Sequence, residues 1–305
     1  MATSLTKKGI IAASDKVIVA ARPALEIISQ LTTDFSPEAV KPGTGVAVDV
    51  LSAAAEDFAK DTANYAHTTN TVKPVVVKTD IRKKSTFSLD DLDAIEDETA
   101  HLWDKFAPVA GRAVGEALVK AVTGKLAYGS ATAQVTQSLA TLADFFALRA
   151  YTEGTAKIDP ATCVLMLLPT QYNLLCSLLN AGIVGDGSVV RGAIIGQALG
   201  FKAVYSAPTC SAASAAAANN GVGYIVPENA VAVVNRVVRP IKGAMGNLLE
   251  YGEATDEVSG VTISHRVVLD AANGECFWTA EGLFGCALSK SDGNGAPGFY
   301  QIVKA

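Results

Sequence analysis

Histidine and cysteine are scarce in this sequence, with three and five in 305 residues. His67, His101 and His265 stand far apart. There is no H-E-x-x-H, no C-x-x-C pair and no Cys/His cluster, which excludes the usual zinc sites. The odd set Cys163, Cys176, Cys210, Cys276 and Cys286 is expected as free thiols in a reducing compartment. Charge is also sparse, at 18% Asp, Glu, Lys and Arg, and the net charge of -5 argues against a chain built mainly to grip nucleic acid. No uncharged apolar run of about eighteen residues exists, so no membrane span is expected. The apolar stretch from Val17 to Ile28 is broken by Arg22, Pro23 and Glu26 and does not read as a signal peptide. No repeat of roughly twenty to fifty residues appears, and the one low-complexity stretch is Ser211 to Asn220.

The same scarcity weighs against catalysis. His101 falls between Asp97 and Asp104 on a predicted helix and reads as solvated. Cys210 or Ser211 with His265 as base is the best-placed arrangement for a hydrolase, yet no G-x-S-x-G elbow accompanies it. Gly182 to Ser188 lacks the Gly-Lys-Ser/Thr ending of a phosphate loop, and Gly43-Thr44-Gly45 precedes a strand instead of following one, so both read as turns. The sequence therefore assigns no catalytic residue, no cofactor and no metal.

What is present suits a packed fold. Half the residues are hydrophobic, much of that Ala and Val, and a chain this long buries roughly 75% of its unfolded surface without staples. Near the start, Val17, Ile18, Ala21, Leu25, Ile28 and Leu31 recur at helical spacing. One amphipathic helix cannot cover its own face, so this one must dock on its own body or on a neighbour. Two Val-rich runs, Gly45 to Leu51 and Val72 to Ile81, predict a two-stranded ribbon, with Pro74 at an edge position. Such a ribbon is marginal alone. Phe58, Tyr65, Val75 and Val77 are expected to find cover on a neighbouring copy.

Ser88, followed by the acidic cluster Asp90 to Glu98, predicts the start of a long helix whose apolar stripe runs from Leu92 to Val122, interrupted at Pro108, Gly111 and Gly115. Beyond it the pattern predicts a helix from about Thr132 to Thr152, a buried strand Cys163 to Leu168, and a helix from Pro169 to Leu179. A strand from Gly200 to Ser206, another from Val222 to Val226, and a short helix from Pro227 through Val237 follow. Strands over Val261 to Asp270, Glu275 to Trp278 and Leu283 to Leu288 close an α+β chain. Lys73, Lys78, Arg82, Lys83 and Lys84 against Asp80 form a basic strip. Paired charges between subunits, or contact with a nucleic-acid backbone, would use it; each exposed pair alone contributes little.

This order of elements resembles the Hong Kong ninety-seven-type fold of tailed-bacteriophage major capsid proteins. The resemblance is carried by Val46 to Ile81 as ribbon, Asp90 to Val122 as spine, VLMLLPTQYNLL (Val164 to Leu175), GFKAVYSAP (Gly200 to Pro208) and YIVPENAVAVVNRV (Tyr224 to Val237). It implies an N-terminal arm over 1–44, an E-loop ribbon over 45–81, and a spine helix with the start of the peripheral domain over 82–130. It further implies a mainly axial domain over 131–260 and a C-terminal β region over 261–305. The function implied is structural: self-assembly into the hexamers and pentamers of an icosahedral virion shell, made in the host cytoplasm, around double-stranded DNA. Scaffolding, portal and decoration proteins are the implied partners, with no membrane. Phe58, Tyr65, Val75, Val77, Lys78, Arg82, Lys83 and Lys84 are the intersubunit candidates. The alternatives are an encapsulin-type compartment shell or a Cys/Ser hydrolase.

Overall fold

A computed structural model of the chain describes residues 7–52, 71–89, 99–126, 131, 133–182, 194–196, 198–206, 221–240, 248–257, 259–270, 274–289 and 298–304. Two compact units emerge, neither a single stretch of chain: Met1–Val46 with Lys78–Gly124 and Val233–Cys286, and Ala47–Val77 with Lys125–Ala232 and Ala287–Ala305. Among the described residues no helix is long and apolar enough to cross a membrane.

The first unit layers two helices on a sheet. Helix α1 (Lys7–Ser29) buries Val17, Ile18, Ala21, Leu25 and Ile28 of the predicted stripe, and Leu31, two residues past its end, is buried as well. Its partner is helix α2 (Thr99–Thr123) of the same chain. The two backbones meet at glycine, because a Cβ on Gly111 would lie 2.2 Å from the Val17 carbonyl oxygen. At Arg22 the helix is tied to a hairpin turn, with the guanidinium donating to Asp256 Oδ1 at 2.6 and 2.9 Å. Asp256 Oδ2 in turn accepts from the Ser259 amide and hydroxyl.

The strands of that unit are β1 (Thr32–Ala39), β4 (Ile81–Leu89), β10 (Val231–Val237), β11 (Leu248–Thr255), β12 (Thr262–Asp270) and β13 (Glu275–Leu288). Their order is β1-β10-β13-β12-β11, with β4 also paired to β13. Where β12 begins, Asn235 of β10 donates to the carbonyls of Thr262 and Leu283 and accepts from the Thr262 amide, so this buried amide is satisfied on both ends.

In the second unit, β5 (Ala133–Gln137), β6 (Cys163–Leu167), β7 (Ile194–Gly196), β8 (Ala203–Ser206), β9 (Gly221–Pro227) and β14 (Tyr300–Lys304) form a sheet in the order β5-β14-β9-β6-β8-β7. The central strand β6 is buried throughout, as its unbroken apolar run predicts. Helices α3 (Leu142–Gly154) and α4 (Pro169–Gly182) contribute Phe145, Leu148, Tyr172 and Leu175 to the core on it. Strands β2 (Gly45–Ser52) and β3 (Thr71–Lys78) pair with each other as a separate two-stranded sheet, which is the predicted ribbon.

Several expectations are corrected. Ser88 is no helix cap: it lies in β4 opposite Phe277, and the helix is described from Thr99. The acidic stretch 90–98 lies outside the described residues. The run Val72 to Ile81 is two strands, because the chain breaks at Thr79-Asp80 and Ile81 opens β4. The helix placed at Thr132 to Thr152 is strand β5 followed by α3. Asp144 starts the helix by accepting from Ser138 Oγ and from the Ala140 and Thr141 amides, and those bonds hold its carboxyl down to about 2. The segment after Pro227 makes one tight turn over Glu228–Ala230 and then runs as β10, all seven residues buried. Four valines among those seven suit a pleated, covered strand better than a helix. Finally, Glu275 to Leu288 is one strand, since Glu281 is paired within the sheet and Gly282 faces Leu118 and Phe284.

Candidate assembly surface

Strand alternation and register sort the sheet of the first unit into two faces. Lys84 stands opposite Glu281, Thr86 opposite Thr279, and these in turn opposite Ser264 and Arg266. On this face Glu281, almost wholly buried, accepts from Arg82 at one oxygen and from Arg266 Nη2 at 2.6 Å at the other. The hydrogen bond that Arg82 donates to Glu281 raises the Arg82 pKa, partly opposed by burial. The hydroxyls of Thr86 and Thr279 meet at 2.9 Å. Farther along, Arg239 and the Tyr251 hydroxyl both donate to Glu253. A buried carboxylate between two guanidiniums is strongly position-specific, because removing the anion strands a cation.

The opposite face is aromatic. Phe106 of α2 packs on Phe87 of β4 (5.0 Å between centroids), Phe87 on Trp278 of β13 (4.9 Å), and Trp278 on His265 of β12 (6.1 Å). On β11, Gly252 leaves the imidazole its room: a Cβ there would sit 2.3 Å from Cε1. Burial alone lowers the His265 pKa from about 6.5 to about 4. A nucleophile at Cys210 or Ser211 lies outside the described residues, and His265 is itself sealed in this slot, 5% exposed.

That slot makes the unit sensitive to acid. Between pH 6.5 and 4 the unfolded chain takes up a proton that folded His265 refuses, so stability is complete above about 6.5 and falls on acidification until about 4. The whole shift corresponds to about 3 kcal/mol. His265→Gln should therefore show a shallower loss of stability across that window than the parent, followed by denaturant midpoint against pH. Equal slopes would mean that carboxylates, not His265, carry the acid dependence.

The structure divides the candidate contact residues. Lys78, Arg82, Lys83 and Lys84 are exposed, and Arg82 is at the same time committed to Glu281. β4 pairs with β13 on one side and with no second strand among the described residues. Three successive cations on such an open edge discourage unplanned strand pairing. Val75 and Val77 are corrected: both are fully buried within the chain itself, so a neighbour has no surface of theirs left to cover. The alternate residue Val76 is the one left open, at 59%. Phe58 and Tyr65 lie outside the described residues.

Glu281, Arg266 and Gly252 carry this geometry and were not singled out from the sequence. A lone Glu inside the apolar run from Cys276 to Leu288 was the available signal, since carboxylates are almost never buried unpaired. The four described cysteines, Cys163, Cys176, Cys276 and Cys286, are free thiols, and burial raises Cys163 to about 11. No group of three or more potential metal ligands occurs among the described residues.

No protein-family model matches the sequence, and no curated protein matches it. Solved structures do resemble the fold. The capsid structure of the Cyanophage P-SCSP1u is 13% identical, with a TM-score of 0.51 over 92% of this chain and 88% of that one. A structure from Mycobacterium phage Ogopogo is 14% identical, with a TM-score of 0.52 over 92% of each chain. The shared property is the fold, and it extends over nearly the whole chain.

Proposed function

We propose that this chain is the major capsid protein of a tailed bacteriophage, a structural subunit assembling as hexamers and pentamers into an icosahedral shell around double-stranded DNA. The observation that carries this reading is the whole-chain likeness to a cyanophage capsid, at nearly full coverage of both chains. Three features of the subunit fit it. Helix α1, Arg22 and Asp256 bind an N-terminal arm to the body. The ribbon β2–β3 is a sheet of only two strands, which gains stability only from further contacts. The exposed cations Lys78, Lys83 and Lys84 suit non-specific contact with a phosphate backbone or with an acidic neighbour.

Electron microscopy of the purified protein tests the reading directly. Closed shells of uniform diameter are expected, and nuclease-protected DNA inside particles from infected cells separates a phage head from a compartment that packs enzymes. A subunit that stays small at all concentrations and salt conditions would overturn it.

A further inference from the structure

Helices α1 and α2 leave an apolar groove on their solvent side. Its volume is ≈ 610 Å³, and its walls include Pro23 and Ala24 from α1 and Pro108, Val109, Arg112 and Glu116 from α2. Val109, on the groove wall, is 65% exposed and the most open of the large hydrophobic residues among those described, whereas Phe106 one turn earlier is partly covered by Phe87. An exposed apolar side chain standing alone needs no partner, but one set in the wall of an apolar concavity marks a candidate contact.

The charges beside the groove identify the occupant. Arg112 and Glu116 lie one turn apart and are 76% and 63% exposed, bonded only to each other at 3.1 Å. A pair in that position is worth little to the helix itself. A partner of one charge sign would answer one of the two and repel the other. A second copy of this chain, turned about a two-fold axis across the face, brings its α2 in antiparallel and offers Glu116 to Arg112 and Arg112 to Glu116. We propose that this α1–α2 face is a two-fold contact between copies of the chain, with Val109 of each seated in the groove of the other. The inference deepens the shell reading by naming one face through which copies meet, and its geometry does not require a shell.

The test is sedimentation velocity on the full chain over a range of concentrations, with circular dichroism confirming the fold of each variant. Val109→Asp should weaken self-association at least about tenfold. Arg112→Glu and Glu116→Arg should each weaken it several-fold, since both cross-contacts then pair like charges. An equal mixture of those two variants should recover association, because the two carboxylates of one variant then face the two guanidiniums of the other. A role confined to the intrahelical pair predicts no recovery on mixing. Unchanged association in Val109→Asp, absence of rescue, or a wild type that remains monomeric would each overturn the proposal. Normal shells from Val109→Asp would refute this contact and leave the capsid reading standing. Pairs abolished by Val109→Asp in a protein that never closes a shell would do the reverse.

Discussion

Gly111→Leu is expected to detach helix α1 and to lower the stability of the first unit by on the order of 4 kcal/mol or more. At this crossing α2 has no side chain, and a Cβ would meet the Val17 backbone at 2.2 to 2.8 Å, well inside van der Waals contact. Backbone cannot rotate away as a side chain does, so the helices must separate. Separation exposes Val17, Ile18, Leu25 and Ile28, each now at 4% exposure or less, and each worth roughly 1.5 to 3 kcal/mol when fully buried. Helix propensity acts in the opposite sense, because Gly is about 1 kcal/mol worse than Ala or Leu in a helix. A loss of stability in Gly111→Ala, smaller than that of Gly111→Leu, therefore isolates the steric term. Denaturant melts supply the magnitudes, and limited proteolysis should release α1 early in the Leu variant. If Gly111→Leu melts with the parent, the two helices do not cross at this point.

The α1 stripe was legible because a period of 3.6 survives in any context, and all six of its residues are buried. Its docking partner was not legible. Gly111 and Gly115 read from the sequence as interruptions of α2, whereas in the fold they are the sites where a second helix comes closest. A glycine in a helix signals either a break or a close approach, and only the neighbour decides which. Ser88 failed for a related reason. Serine followed by carboxylates is a good local helix start, yet β13 offers a nine-residue partner from Cys276 to Phe284, and strand pairing took Ser88 into β4. Val231–Val237 went the other way from its turn-helix opening because its valines pack in a strand covered on both sides.

Among the contact candidates, the described charged residues lie on the surface and the described apolar ones do not. Lys78, Lys83 and Lys84 are exposed because an ammonium costs too much to bury. Val75 and Val77 were assigned outward, although alternation alone cannot say which of two strand faces is covered. The fold buries the set Val75, Val77 and Thr79 and exposes the set Pro74, Val76 and Lys78. A shift of one residue inverts the whole assignment. Glu281 could have been noticed as a lone carboxylate in an apolar run, but its partners Arg266 and Arg82 could not, because they meet it only through the β12–β13 and β4–β13 registers.

Replacing Ser52–Thr71 by an Asn-Gly turn is expected to leave a soluble, cooperatively folding subunit and to abolish stable particles. The base of the ribbon is anchored independently of its tip: the Gly43 amide donates to the Thr79 carbonyl at 2.7 Å, and the Thr79 amide to the Thr44 carbonyl at 3.0 Å. The Thr79 hydroxyl bonds the same Thr44 carbonyl. Val48, Val75 and Val77 are buried and stay in place under the new turn. An Asn-Gly pair closes a two-residue hairpin with the twist that the flanking strands require. The subunit therefore keeps the contacts that anchor its ribbon. A shell built from these subunits would lose whatever residues 52–71 contribute between copies, at roughly 1.5 to 3 kcal/mol for each large side chain fully buried there, with Phe58 and Tyr65 the proposed candidates. Small contacts repeated over a closed lattice decide whether it holds, so the effect should be all or none. Sedimentation and microscopy read the particles, while a thermal melt and far-ultraviolet dichroism read the subunit. A shortened chain that unfolds or aggregates as a monomer would place 52–71 in the core, and one that closes normal shells would show that assembly does not run through the ribbon.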